Sequence, residues 1–584
     1  MLRFISAYLR PYRKESLLGP LFKLLEAGME LCVPLVIASL IDRGIGQSDP
    51  SFIVRMCLLL AAFGTVGLLF AVTAQYFAAK ASVGFAKQIR RALFSHIQKM
   101  SYKNLDNAGT ATLLTRMTSD VQQIQTGVNL TLRLLLRSPF VVFGALIMAF
   151  TIDVPAALWF AAAIPLLAIV IFSIMLVSIP LYRKVQEKLD SVLGSVRENL
   201  TGVRVLRAFR REKAETESFE TKNGELTSRQ RSVGRITALL NPLTYILINL
   251  AIVFLIHTGA VRVEAGILTQ GTVVALYNYM SQILVELIKL ADLILQITKA
   301  LASTKRVKGV LDTPATDRKE TEQGADPSGH EPDLLPKSPY RVTFDHVGMT
   351  YHTGSEPSLK DLTLSVRPGE TIGIIGGTGS GKTTLVNLIP RFYEATEGTV
   401  SVNGKDVSDW DVSALRARVG VVPQKAVLFR GTIRDNLLWG NGEATDEELL
   451  EAVSIAQASD ILEGKNGLDT RVEQSGRNFS GGQKQRLTIA RALVRKPDIL
   501  IFDDSSSALD YATDARLRNA LKELDYQPSI FLVSQRTASV MHADKIVVLE
   551  EGNVVGIGTH AELLNTCPVY KEIHESQFRK KDAS

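Results

Sequence analysis

Residues 370–389 read ETIGIIGGTGSGKTTLVNLI. An apolar run passes into a glycine-rich turn and then into a segment with helical character. Gly376, Gly377, Thr378, Gly379, Ser380, Gly381, Lys382, Thr383 and Thr384 keep the spacing G-x-x-x-x-G-K-[ST] of a P-loop. Glycines let successive backbone N–H groups curl around phosphate oxygens. A helix starting there turns the positive end of its dipole towards the same anion. Lys382 adds a full charge for the β- and γ-phosphates, and the Thr383 hydroxyl can ligate Mg²⁺. A chance glycine-rich turn accounts for neither the strand before the loop nor the helix after it. The stretch predicts an α/β P-loop domain that takes a nucleotide with Mg²⁺.

Working outward, RVTFDHVGMTY (341–351) alternates apolar and polar residues as a strand does. Further on, Asn478 to Arg486 read NFSGGQKQR, followed by the helical run LTIARALVRKPDI. Ser480 with Gly481 and Gly482 opens a helix whose N-terminus can face a second anion. An ordinary capped helix explains the serine, but not its spacing to the P-loop and to the strand that follows. That strand is ILIFDD (499–504), four apolar residues running into Asp503 and Asp504.

The other half of the chain has a different character. Of 584 residues, 46% are hydrophobic, with a net charge of +7 and a mean hydropathy of +0.13. That is too long for one domain, and the apolar excess lies in residues 1–311. Six stretches approach the roughly 20 apolar residues that a spanning helix needs: 17–41, 56–79, 134–152, 154–181, 237–261 and 268–298. Between the second and third lie Lys87, Arg90, Arg91, Lys99, Lys103 and Arg116. Between the fourth and fifth lie Arg183, Lys184, Lys188, Arg204, Arg207, Arg210, Arg211 and Lys213. The alternate loops carry almost no positive charge. By the positive-inside rule both long loops and both termini are cytoplasmic. The long loops read as helices continuing beyond the bilayer, with tips near 101–110 and 207–219. Basic residues set beside apolar runs point to a lipid membrane and not to nucleic acid. MLRFISAYLRPYRKES reads as an amphipathic elbow at the membrane surface, not a cleaved signal. Cys32, Cys57 and Cys567 imply neither disulfides nor zinc. Residues 312–339, rich in Pro, Gly and charge, read as a linker to a cassette over 340–584.

Within the first span, Glu26 and Glu30 share a helix face, roughly 15 and 21 Å along from Ser16. Such a pair can face a cavity for a cationic substrate, or pair internally with Lys23. Glu286, Lys289 and Asp292 in the last span read as a solvated extension near the inner surface, and Arg137 as low in the third span.

Phe479, Ser480, Gly481, Gly482 and Gln483 resemble the signature motif of ATP-binding cassette (ABC) proteins. Six spans with two long loops and then one cassette resemble an ABC exporter half-transporter, over nearly the whole chain. The resemblance implies that the signature faces the γ-phosphate of ATP held by the other cassette of a dimer. It also implies that Tyr351 stacks on adenine, the plainer reading being a strand-edge aromatic. Gln424 would touch Mg²⁺, Asp503 would hold it with Thr383, and Ser507, Ala508, Leu509 and Asp510 would form the D-loop across the dimer interface.

Two residues depart from the family pattern. Its catalytic glutamate is replaced by Asp504, shorter by a methylene or about 1.5 Å of reach. Its switch histidine is replaced by Gln535, which cannot carry charge or relay a proton. Both lie on the hydrolytic side of one site whose ATP-gripping residues are intact. The expectation is a site that binds ATP and hydrolyses it poorly, in a heterodimer with a second, non-identical half-transporter. The partner would carry the glutamate and histidine, and hydrolysis would occur where this chain's signature completes the partner's site. The implied activity is export of small hydrophobic or amphipathic molecules, as in multidrug efflux, across the plasma (inner) membrane. A lipid flippase, a peptide exporter and an ATP-gated regulatory subunit are the alternatives.

Overall fold

A computed structural model describes residues 2–314, 338–351, 354–463, 466–505 and 509–578. The linker expected over 312–339 lies almost wholly outside them. The chain divides into two compact units, Met1–Met100 with Ala108–Ala315, and Ser101–Asn107 with Thr316–Ser584.

The first unit is all helical. Five runs among the described residues are long and apolar enough to cross a bilayer: Arg3–Ile45, Pro50–Lys99, Thr110–Ile152, Val154–Thr201 and Glu212–Glu264. Polar caps set where they begin. Asp49 precedes Pro50 and accepts a hydrogen bond from Phe52 N (3.1 Å). Asp153 does the same for Ala156 N (3.0 Å) at the start of Val154–Thr201. Pro50–Lys99 and Val154–Thr201 run for 50 and 48 residues, well beyond the roughly 20 that a bilayer requires. In the most apolar stretch of Pro50–Lys99 nothing is buried, and Leu58, Leu68, Leu69 and Val72 stand exposed. A stripe of that kind is at home in lipid.

The sixth expected span falls inside a continuous helix, Gln270–Asp312, which is not among the five. It is nonetheless the packing centre of the unit. Ala275, Tyr279, Met280, Ile283 and Leu287 are buried against Ala27 and Leu31, Val141 and Ala145, and Phe160 and Leu255. Asp42 ties its start, accepting from Gly271 N (2.8 Å) and from the Thr269 hydroxyl (2.5 Å). The N-terminal helix Leu2–Leu9 packs Phe4, Ile5, Tyr8 and Leu9 against a protein cluster around Phe85, Ile89, Leu93 and Val307.

In the second unit, twelve strands are described, β1 to β12: Val342–Met349, Leu359–Val366, Thr371–Gly376, Glu397–Val402, Lys405–Asp406, Val419–Val422, Gly431–Thr432, Arg471–Val472, Ile499–Asp503, Ser529–Val533, Lys545–Glu550 and Asn553–Gly558. An antiparallel sheet has the order β2-β1-β4-β5. A six-stranded sheet has the order β12-β11-β3-β10-β9-β6, and β7 pairs with β8. In the six-stranded sheet the pairs from β11 to β6 are parallel and only β12 is antiparallel. The central strands are therefore almost wholly apolar and buried. Parallel strands bring their carboxyl ends to one edge, where ligand sites of such sheets form.

Residues 101–107 join this second unit although helices of the first flank them. Tyr102 packs on Phe392 (ring centroids 4.6 Å apart) with Arg416 above both rings. Tyr393 donates its hydroxyl to Asp106 (2.5 Å), and burial together with that carboxylate pushes the Tyr393 phenol's pKa up. One of the two loop tips read from the sequence thus lodges in the cassette unit.

Candidate functional site

The P-loop leaves the carboxyl end of β3 and enters the helix Lys382–Leu388. Gly379 and Gly381 have φ of +82° and +97°, where side chains with a Cβ are strained. A Cβ on Gly381 would also lie 2.4 Å from the Ser358 carbonyl oxygen, and one on Gly376 would lie 2.2 Å from that of Leu549. Around Gly377 and Gly379 the space is open, so the rim of the loop can admit a ligand while its base is closely packed. Gly381→Ala is expected to destabilise the cassette by about 1–3 kcal/mol and to remove nucleotide binding. Thermal unfolding and titration with a fluorescent nucleotide check this; unchanged values would show that the loop can relax.

Lys382 lies back along its own loop, only 8% exposed. Its Nζ donates to the carbonyls of Gly376 (3.0 Å) and Gly377 (2.5 Å) and reaches Ser380 Oγ at 3.4 Å. Burial lowers its pKa, and the charges of Asp504 and Asp503 oppose that. A cation held by its own loop can exchange those partners for phosphate oxygens.

The register assembles the rest. Val533 at the end of β10 is paired with Asp503 on one side and Ile374 on the other. The P-loop, the two aspartates and Gln535 therefore leave three adjacent strands at one edge. Thr383 Oγ1 donates to Asp503 Oδ1 (2.9 Å). Asp503 is buried, which raises its pKa; the Thr383 hydrogen bond opposes the shift, Asp504 adds to it and Lys382 opposes it. Asp504 sits at φ +47°, a region that aspartate tolerates better than most residues. Its N–H donates to Val533 O (3.0 Å), and Gln424 Nε2 reaches its Oδ2 at 3.4 Å. Tyr351 sets its hydroxyl 3.0 Å from Thr384 Oγ1 and its ring against Tyr393 (5.0 Å). Gln535 is exposed, two residues beyond β10.

Hydroxyl, carboxylate and amide oxygens on Thr383, Asp503 and Gln424 suit a small hard cation. Among the described residues no group of three or more His, Cys, Asp or Glu could hold a metal. Mg²⁺ is commonly bound through one or two protein ligands with substrate phosphates completing the shell.

The signature residues line a different recess. Ser480 caps the helix Gly481–Leu493: its Oγ accepts from Gln483 N (3.3 Å), and its N–H donates to Gln483 Oε1 (3.0 Å). Ser480, Gly482 and Gln483 share the recess with Arg486, Leu509 and Asp510. Gly481 has open space around it, while Phe479 is buried in the core and anchors the motif. Asp510 caps the next helix through Thr513 N (2.9 Å), which holds its carboxyl below the usual range. Ser507 and Ala508 of the expected D-loop lie outside the described residues. Arg486 grips Asp460 with two hydrogen bonds (2.6 and 3.0 Å), a brace for which the sequence gives no spacing signal.

The membrane carboxylates are not an unpaired couple. Lys23 Nζ bonds both oxygens of Glu26 (2.7 and 2.6 Å), the internal pairing weighed above. Glu30 accepts from Arg137 (2.6 Å), which also bonds Glu286 (2.6 Å). Glu286 further accepts from Ser138 (2.9 Å) and Lys289 (2.8 Å). Glu286 is 3% and Arg137 7% exposed. The solvated extension expected for Glu286 is therefore corrected to a buried charge cluster, because Arg137 on a neighbouring helix reaches it. Glu30 still lines a recess with Pro34, Ile37, Gln282 and Lys289.

Comparison with known proteins follows the same two-part division. Residues 16–287 match the family described as ABC transporter transmembrane region, and residues 359–507 match ABC transporter. An uncharacterized ABC transporter ATP-binding protein of Mycobacterium tuberculosis (strain ATCC 25618 / H37Rv) is 36% identical over 99% of this chain and 98% of its own. An ATP-dependent lipid A-core flippase of Desulfotalea psychrophila is 30% identical over 97% of each. A bacterial Atm1-family ABC exporter, solved with ATP bound, superposes with a TM-score of 0.80 at 23% identity over 98% of both chains.

Proposed function

Because the chain belongs to the ABC transporters, integral membrane proteins that couple ATP hydrolysis to transport, we propose that it is the weakly hydrolysing half of a heterodimeric exporter. The single observation carrying this is Asp504. It follows the Asp503–Thr383 pair in sequence, its N–H is tied to β10, and it ends one methylene short of a glutamate. Gln535 in place of histidine supports the same reading.

On this reading residues 1–311 form six spans, the sixth within Gln270–Asp312, and the cassette over 340–584 lies in the cytoplasm with both termini. The basic loops support that orientation. Lys382, Thr383, Gln424 and Asp503 hold ATP with Mg²⁺, and Tyr351 lies beside the adenine. Ser480 to Gln483, with the D-loop at 507–510, complete the partner's site, where hydrolysis occurs. Bound nucleotide draws the two cassettes together, and the spans switch between inward and outward access. The substrate is small and hydrophobic or amphipathic. A second reading, translocation of a lipid, is favoured by the identity with a lipid A-core flippase.

The test is ATP turnover by this chain alone and with the half-transporter that co-purifies with it. Turnover alone is expected to be lower by roughly 10²-fold. The partner is expected to carry glutamate and histidine at the two positions. Robust turnover by this chain alone, unaffected by the partner, sinks the reading.

A further inference from the structure

The loop that carries Gln535 is pinned at both ends, and one of the pins comes from the end of the chain. On the β10 side, Ser534 N donates to Ile374 O (3.0 Å) of β3, and the buried Ser534 hydroxyl accepts from Arg536 N (3.0 Å). On the other side the short helix Thr537–Val540 begins with no side-chain cap from its own N-cap residue, Arg536. An N–H at that position needs a partner.

Gln577 supplies it. Its Oε1 accepts from Thr537 N (2.8 Å) while its Nε2 donates to Gln535 O (2.8 Å). One side-chain amide thus brackets the loop, and only this orientation of oxygen and nitrogen satisfies both bonds. Gln577 stands on the helix Pro568–Phe578. Tyr570 and Ile573 of that helix seat it against Val540, Leu563 and Cys567. The position of the last helix is in this way transmitted to the peptide groups on either side of Arg536.

We propose that Gln577 is a positioning residue for the nucleotide site: by holding the backbone of Gln535 it aims that side chain at the γ-phosphate, and so sets the preference for ATP over ADP. The proposal rests on the reading, used under Proposed function, that Gln535 stands where the ABC family's switch histidine contacts the γ-phosphate. Any partner or modification that lifts the last helix would then loosen the grip on ATP while leaving the grip on ADP.

The experiment uses the full-length chain in lipid nanodiscs with Mg²⁺, displacing a fluorescent nucleotide with ATP or with ADP. Losing one or two hydrogen bonds should weaken ATP binding about three- to tenfold in Gln577→Ala, with ADP affinity and melting temperature essentially unchanged. Gln577→Glu keeps the acceptor for Thr537 N but places a carboxylate against the Gln535 carbonyl, and should lose at least as much. Gln535→Ala sets the reference, and Gln535→Ala/Gln577→Ala should be no worse than Gln535→Ala alone, since both act through one contact. Additive losses, equal losses for ATP and ADP, or no loss in Gln577→Ala overturn the proposal. If Gln535→Ala itself leaves the ATP-to-ADP ratio unchanged, the reading of Gln535 fails first. If Gln535→Ala lowers the ratio and Gln577→Ala does not, only the role of Gln577 falls.

Discussion

Arg137→Ala is expected to destabilise the membrane unit by about 3–5 kcal/mol. Arg137 is the shared partner of Glu286 and Glu30. Without it, Glu286 is left buried with a serine hydroxyl and one partly exposed lysine. An isolated charge in such a place costs far more than an isolated polar group. The companion variant Arg137→Leu/Glu286→Leu removes both charges together and should recover most of the loss, because a well-packed apolar pair is often as stable as a buried ion pair. Thermal unfolding in lipid nanodiscs measures both. Equal melting temperatures for Arg137→Ala and the unaltered chain would show that the cluster does not hold the helices together. Export that fails in a fully stable double variant would assign the charges to transport instead.

Asp504→Glu is expected to raise ATP turnover at this chain's own site, by up to about 10²-fold if reach alone limits it. The added methylene extends the carboxylate by about 1.5 Å. The backbone sets a counterweight: φ at this residue is +47°, where glutamate is less at ease than aspartate, at about 1 kcal/mol. The gain in rate should therefore come with a slightly lower melting temperature. Single-turnover hydrolysis, with the partner's site silenced by substitution of its glutamate, isolates the effect. If the rate does not move, Gln535 is limiting, and Asp504→Glu/Gln535→His should be the variant that hydrolyses. A double variant as slow as the starting protein would remove the case for a site weakened by these two residues.

The strand, glycine-rich loop and helix over 371–388 were legible in the sequence because they are short and contiguous. A P-loop needs eight neighbouring residues, Gly376 to Thr383, and the sheet that carries it only fixes where they emerge. The membrane unit was less legible. Glu286 and Lys289 read as solvated from their own helix, since nothing local says that Arg137, 149 residues away, will meet them. The same limit hid Gln577, an ordinary polar residue in HESQF whose partners lie 40 and 42 residues upstream. Asp504 was legible as a short carboxylate, but not as a residue with left-handed backbone, because that depends on β10 taking its N–H. Where a role needs only local spacing the sequence carries it; where it needs two distant elements packed together, it does not.

The seven residues from Ser101 to Asn107 make the cassette unit discontinuous along the chain. During synthesis this segment appears more than two hundred residues before the rest of its unit, so Tyr102 and Asp106 must wait for Phe392, Tyr393 and Arg416 to be made. The cassette therefore cannot complete its surface until the membrane half is already synthesised. Expressed alone from residue 338, it would emerge with two aromatic rings and an arginine uncovered, prone to self-association, and a peptide of residues 99–109 added in trans should restore it to a monomer.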